Sequence, residues 1–434
     1  MKKTALYIAL FHIVACGQPK DVESKVIYSD IDLFWNAFDQ ILLVEDSLDQ
    51  LRLLDSLYLE KGSPGLHKIL EVKNYYAADY IKLIRNHPEF WKSIRKNTLR
   101  TKSISDELNK GIENLRTVYP KLKPAKIYFT MGAMRTNGTT QDSSVLIGSE
   151  LAMADSSIDI SEFEGRTKQW LKNYFATNPI ENIVLLNIHE YVHTQQKEMP
   201  GNLLHIVLYE GIAEFVSVKA MGVPSSTPAV EFGFGNSAVK RKFQKEMFYE
   251  RTYDWLWSSA PNEFEIRDLG YYIGYALAEI HYEKSKDKKK AIQELIELDY
   301  KNKETVDSLI DACNFFSKPI QELRIEDEKA RPKIKSINSI GENFNEVNPN
   351  TTEISFEFSE PLNGLHTGVN YGEMGDKAFP KILEANWSED KRIWTLMVEL
   401  KENHSYQFYI TENFRNEEGL PLMPYLLEFK TISK

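Results

Sequence analysis

The stretch from Asn178 to Ala220 constrains this 434-residue chain more than any other. Ile183, Val184, Leu185, Leu186 and Ile188 run ahead of His189-Glu190-Tyr191-Val192-His193, so the segment is apolar nearly all round. A helix of that kind is a buried helix. Asn178-Pro179 predicts its start, with Asn as N-cap and Pro at the first helical position. Pro200-Gly201 predicts its end, and Asn202 opens a second helix running to about Met221. Two imidazoles and a carboxylate inside such an element need partners, because unpaired polar groups are costly in an apolar interior.

Residues four apart lie one above the other on a helix, so His189 and His193 can grip one ion. Glu190 sits about 100° round the helix, where a general base can act on a water at that ion. A third ligand must come from downstream. The extended pattern with Gly at 196 and His at 199 is absent, since those positions hold Gln196 and Met199. No Asp occurs between His193 and Asp254. Glu210 and Glu214 share a face of the second helix and are the candidates. His205 lies about 140° from Glu210 and reads as a structural histidine. Gly211 is expected to let the second helix approach the histidine helix closely.

These residues carry a resemblance. His-Glu-x-x-His is the pattern of zinc hydrolases, and Tyr209-Glu210-Gly211-Ile212-Ala213-Glu214-Phe215 resembles the Asn-Glu-Gly-Phe-Ala-Glu-Tyr segment of gluzincin metallopeptidases. The resemblance implies Zn2+ held by His189, His193 and Glu210, with Glu214 orienting a histidine or tyrosine. It implies that Glu190 takes a proton from the attacking water and that the substrate is a peptide or protein. A Tyr or His from a later helix would steady the oxyanion. Gly270-Tyr271-Tyr272-Ile273-Gly274-Tyr275 is where that donor is expected, and Tyr272 is the residue favoured. Gly132-Ala133-Met134 resembles part of the Gly-Ala-Met-Glu-Asn motif of zinc aminopeptidases. Arg135 follows where that motif has its acid, which favours an endopeptidase.

The N-terminus carries Lys2-Lys3, an apolar run from Ala5 to Ala15, and Ile13-Val14-Ala15-Cys16-Gly17, which resembles a bacterial lipobox. It implies a signal peptide over residues 1–15, acylation of Cys16 and a linker over 16–25. A lipid anchor in the bacterial cell envelope, at the outer membrane, follows. With the helical region and the metal motifs, the whole resembles the predicted zinc-dependent protease lipoproteins of Bacteroidota. Removing Lys2 and Lys3 leaves 51 basic against 63 acidic side chains, with no basic face for nucleic acid. Cys313 is then the only free cysteine, so no disulfide forms within the chain.

Around this centre the chain predicts an α+β protein. Ile31, Phe34, Phe38, Ile41 and Leu42 fall at helical spacing in a scaffold from Val22 to about Tyr119. Strands are expected at Lys126–Met131 and Ser144–Gly148, either of which can hold an extended substrate by main-chain bonds. Later helices are expected over Ser237–Trp257, Asp268–Lys284, Ala291–Leu298 and Thr305–Phe316. Gly233-x-Gly235-x-x-Ala238 reads as a loop before a helix, and neither a serine nucleophile elbow nor a phosphate-binding loop is present. Beyond Arg331-Pro332, Ile354-Phe356-Phe358, Trp394-Leu396-Val398 and Tyr406-Phe408-Ile410 alternate as strands do. That last part resembles bacterial immunoglobulin-like modules. The expected architecture is a mostly helical, zincin-like metallopeptidase domain over 26–328 followed by an all-β immunoglobulin-like sandwich over 331–434. The rival expectation is a non-catalytic surface lipoprotein, with a structural metal site and an immunoglobulin-like unit that binds a partner.

Overall fold

The structure is a computed structural model that describes residues 25–199, 201–258, 262–341 and 343–433. The lipobox and Cys16 lie outside the described residues, as does Pro200. Among the described residues no helix is long and apolar enough to cross a membrane. The chain is mixed α+β. It divides into two compact units, one of residues up to Asn109 with Pro124–Glu162, the other of Lys110–Lys123 with everything from Phe163 onward.

In the first unit the expected helical scaffold is five helices, Ser29–Ile41, Ser47–Leu54, Pro64–Val72, Ala77–Asn86 and Pro88–Thr98, with Thr101–Val118 following. Phe34, Trp35, Phe38 and Tyr58 interlock edge to face at their centre, with Trp91 tilted against Phe34. A four-stranded sheet runs in the order Val26–Ile27, Lys126–Thr130, Ser144–Gly148, Gly138–Gln141. The two strands expected from the sequence are therefore interior, each paired on both sides, and the edges are Val26–Ile27 and Gly138–Gln141. The Gly-Ala-Met turn is held by the buried Glu150 carboxylate, which accepts from Gly132 N at 2.8 Å and Met134 N at 3.0 Å. Arg135 turns back to Asp79 at 3.0 Å and lies over the Tyr75 ring.

The second unit holds the histidine helix. Asn178 adopts the left-handed conformation and Pro179–Asn182 forms a single 3-10 turn, so the α-helix proper spans Ile183–His193 and stops well before Pro200. Asn202 caps the next helix, Leu203–Met221, by accepting from His205 N at 3.0 Å. Seventeen of its nineteen residues are buried. The segment read as a loop around Gly233 is instead a helix, Pro228–Gly235. Ser237–Glu246 ends earlier than expected because Trp255 folds back and donates its indole N–H to Glu246. Gly270–Lys284, Lys288–Ile296 and Lys303–Cys313 follow near their expected places, and Ile320–Ala330 is an additional helix.

The closest helix crossing decides where the site lies. A Cβ on Gly211 would sit 2.2 Å from the Gly274 carbonyl carbon, and one on Gly274 would sit 1.9 Å from the Val207 carbonyl oxygen. Only paired glycines allow such an approach. Gly211 thus serves contact with the Gly270–Lys284 helix, and not with the histidine helix as its position suggested.

From Ile334 onward the chain is all-β. One antiparallel sheet runs Ile334–Asn338, Glu353–Phe358, Ile393–Glu399, Lys381–Trp387, the other Tyr425–Lys430, Ser405–Ile410, Val369–Tyr371. Ile354, Phe356 and Phe358 from the first share one core with Tyr406, Phe408 and Ile410 from the second. The compact units do not separate at residues 328–331. Arg331 is the reason: it is 4% exposed, bonds the carbonyls of Pro421 and Leu422, and pairs with the buried Glu412. Glu412 in turn accepts the backbone amides of Glu250 and Arg251.

Candidate metal centre

His189, His193 and Glu210 come together as a buried group able to hold a metal ion. The helical i, i+4 spacing brings the two rings together edge to face, with centroids 4.8 Å apart. Their Nε2 atoms face each other at 3.1 Å, and Glu210 Oε2 lies 3.5 Å from His189 Nε2 and 3.4 Å from His193 Nε2. A tetrahedral ion bound at about 2.0–2.1 Å sets neighbouring ligand atoms roughly 3.3 Å apart. The triangle has that size.

The outer ring nitrogens fix the direction of the inner ones. His189 Nδ1 lies 3.0 Å from Glu214 Oε2, and His193 Nδ1 lies 2.7 Å from Gln196 Oε1. Both acceptors draw the imidazole proton to Nδ1 and turn the Nε2 lone pair inward, as metal-binding histidines require. Glu214 is saturated on its other oxygen by the hydroxyls of Ser225 and Thr227. Gln196 spends its amide on the Tyr209 carbonyl at 3.0 Å. Tyr209 stacks flat on His193, with centroids 4.5 Å apart.

The imidazoles and carboxylates of this group hold one another in their charged forms. Burial opposes the charged form of His189, yet the bonds to Glu210 and Glu214 outweigh it and lift the imidazole to about 10. Burial pushes Glu210 up as well, but His193 and His189 outweigh it and hold the carboxyl well below the usual carboxylate range. Glu214 is held low by His189 in the same way. Two carboxylates of 6% and 5% exposure therefore require positive charge between the imidazoles. A proton on His189 supplies it in the free protein, and a divalent ion fits the same place with the opposite ligand polarity satisfied.

Of the other expected residues, Glu190 follows His189 on the helix, is half-buried, and lies near enough to Tyr209 for its charge to act on that hydroxyl. His205 stands outside the triad and faces the Asn202 side chain at 3.0 Å. Tyr272 is not brought to the centre. Its ring covers Gly233 and packs on Phe234 and Phe315. The neighbouring Tyr271 is, with its ring 6.0 Å from His189 and the Glu210 charge acting on its hydroxyl. Burial, then the Glu210 charge, push that hydroxyl far above its ordinary range. Adjacent residues point about 100° apart on a helix, so one of the two had to face away. Gly274 lies three residues from Tyr271 on the face that meets the Glu210 helix, and that spacing is the signal which identifies Tyr271.

No protein-family model matches the chain. The curated proteins give no match either. Among solved structures, the N-terminal part of the bacterial S-layer protein SbsC aligns at 12% identity over 92% of this chain and 68% of that chain, with a TM-score of 0.18. The S-layer protein rSbsC(31-844) aligns at 10% identity over 93% of this chain and 45% of that chain, also with a TM-score of 0.18. At that score the likeness carries no argument about fold or function.

Proposed function

We propose that this chain is a zinc-dependent peptidase, anchored by lipid at Cys16, with a zincin-like catalytic part and an immunoglobulin-like C-terminal unit. The observation that carries the reading is the triangle of His189 Nε2, His193 Nε2 and Glu210 Oε2, buried and of ligand dimensions. Two nitrogens and one carboxylate oxygen are a zinc donor set, and one that leaves a coordination place open. Bound there, zinc supplies Lewis acidity toward a peptide carbonyl and toward water.

The chain's own residues supply the rest. Glu214 and Gln196 hold the two imidazoles in the ligating tautomer. Glu190, one residue past His189 and less buried than the ligands, would take a proton from attacking water and return it to the leaving amine. Tyr271 takes the role expected of Tyr272, because its ring lies 6.0 Å from His189 whereas that of Tyr272 covers Gly233, and its hydroxyl would donate to an oxyanion. Arg135 stands in the sequence where the aminopeptidase motif has its acid, which favours an endopeptidase. Two sheets closing on one core are the support for the immunoglobulin-like reading.

Metal content of purified residues 20–434, wild type beside Glu210→Ala, is the first test. One zinc per chain, lost in the variant, is expected. A peptide-library screen of the zinc-loaded protein then decides the chemistry. Hydrolysis abolished by Glu190→Gln with zinc retained is expected, whereas zinc binding with no turnover on any peptide would leave a structural metal in a surface lipoprotein.

A further inference from the structure

A cavity of about 400 Å³ opens where the turn carrying Arg251 and Tyr253 meets two loops of the β unit. That volume is within the range of small-molecule sites. Its walls are tied to one run of chain, residues 411–415. Glu412 accepts the amides of Glu250 and Arg251 at 2.9 and 2.6 Å. Gly368 O accepts the Thr411 amide at 3.0 Å, and Arg415 O accepts the Asn363 amide at 2.8 Å. The 363–368 loop is thereby held against the same run, so the cavity is preformed.

No acid lines it, in a chain whose net charge is −10. Two guanidinium groups do. Arg251 donates from Nη1 to the Tyr253 hydroxyl at 2.9 Å, pairs through Nη2 with Asp254, and lies over the Tyr253 ring. Those contacts aim the fork without using up its donors. Arg415 is half-buried, and its Nη1 donates to the Gly419 carbonyl at 3.0 Å. Among the described residues no carboxylate pairs with it. His366, Thr367 and Asn413 add further polar groups to the lining. A surplus of charged donors with no counter-charge is what binds a carboxylate or phosphate, through paired N–H groups of the fork. Leu365, 80% exposed, and the Tyr253 ring line the same cavity and give it an apolar side.

We propose that this cavity binds a small organic anion. Arg415 and Arg251 grip its carboxylate or phosphate group, and a flat apolar body covers Leu365 and Tyr253. A bare ion would leave that apolar side in water, which is why a body is part of the ligand. None of the lining residues belongs to the metal group, and the inference holds whether or not the chain is a peptidase.

Calorimetry on the full chain tests this with phenyl phosphate and benzoate, each beside its bare counterpart, inorganic phosphate or acetate, and with uncharged benzyl alcohol. At least one aromatic anion is expected to bind more tightly than its bare counterpart, and benzyl alcohol not to bind. Whichever aromatic anion binds more tightly names the oxyanion. Arg415→Gln should weaken that probe roughly ten- to a hundredfold, the worth of a hydrogen bond to a charged group. Its metal content should match the wild type. Arg52→Gln, which removes an exposed cation elsewhere, should leave the affinity unchanged. Should Arg415→Gln not fold, Leu365→Ser decides, and it should erase the advantage of the aromatic body. Failure of both aromatic anions to bind, or binding of the bare ions just as well, overturns the proposal. So does an affinity that Arg415→Gln leaves intact, that Arg52→Gln lowers equally, or whose aromatic advantage survives Leu365→Ser.

Discussion

Glu214 accepts from His189 Nδ1 at 3.0 Å, and Ser225 and Thr227 close off its second oxygen. In the proposed centre Glu214 would therefore act on an ion through His189 and not by contact. Loss of such a partner lowers metal affinity about 10- to 100-fold. Glu214→Ala is expected to fall in that range, and Glu210→Ala to fall further, in competition against a chromophoric zinc chelator. Equal losses in the two variants would mean that both carboxylates reach the ion.

In the metal-free protein, burial works against His189 but its two carboxylate partners lift the imidazole to about 10. Its folded value is raised above the unfolded one. The pairing thus stabilises the fold fully below about 6.5 and that contribution is lost as pH rises through about 10. Zinc must displace the same proton. Calorimetry at pH 8 in buffers of different ionisation enthalpy should show about one proton released per ion. Release near zero at pH 8 would mean that His189 is already neutral there.

Tyr271 and Tyr272 separate function from packing. Removing one donor to a developing oxyanion costs about 10²–10³ in kcat. Tyr271→Phe is expected to lose that much with KM little changed. Tyr272→Phe keeps the ring over Gly233 and should retain activity within a few fold. The reverse order would place the donor on the other face of the helix.

The Gly211–Gly274 crossing is a sharper point of failure than either ligand. A methyl at 274 would overlap the Val207 carbonyl, and overpacking of this kind costs about 1–3 kcal/mol or more. Gly274→Ala should lower the urea midpoint and also weaken zinc binding, because Glu210 lies one residue from the crossing. Gly235→Ala, whose Cβ meets nothing within 4 Å, serves as the silent control.

The histidine pair was legible in the sequence because one period, i to i+4, fixes it without tertiary information. The helix propensity of the surrounding apolar run said where, within a few residues. The choice between Glu210 and Glu214 was open, since both lie on one face and only packing shows which points inward. Tyr272 was favoured over Tyr271 for a similar reason. That helix is apolar on nearly every side, so periodicity carries no direction, and the glycine spacing that does carry it becomes meaningful only once the crossing is known. Ile320–Ala330 went unseen because its sequence is mostly charged and little of its surface is buried. The end of the helical part was placed by a change of pattern at Arg331-Pro332, which marks secondary structure correctly but says nothing about what crosses it.

What crosses it is a buried ion pair. Arg331 and Glu412 stand 3.3 Å apart with side chains of 2% and 7% exposure, and Glu412 also accepts two amides of the Glu250–Arg251 turn. Removing one partner of a buried pair leaves the other charged and alone, at a cost of about 3–5 kcal/mol. Arg331→Met is expected to cost that much. It should also uncouple the β unit from the helices before it, because Pro421 and Leu422 lose the donor that ties them to residue 331. Urea unfolding followed by tyrosine emission and far-ultraviolet dichroism should give coincident transitions in the wild type and separate ones in Arg331→Met. Coincident transitions in both would show that the sandwich and the helices are joined chiefly by other contacts. Zinc binding in the variant, measured below the first transition, should be unchanged, since none of the ligands or their partners lies on this bridge.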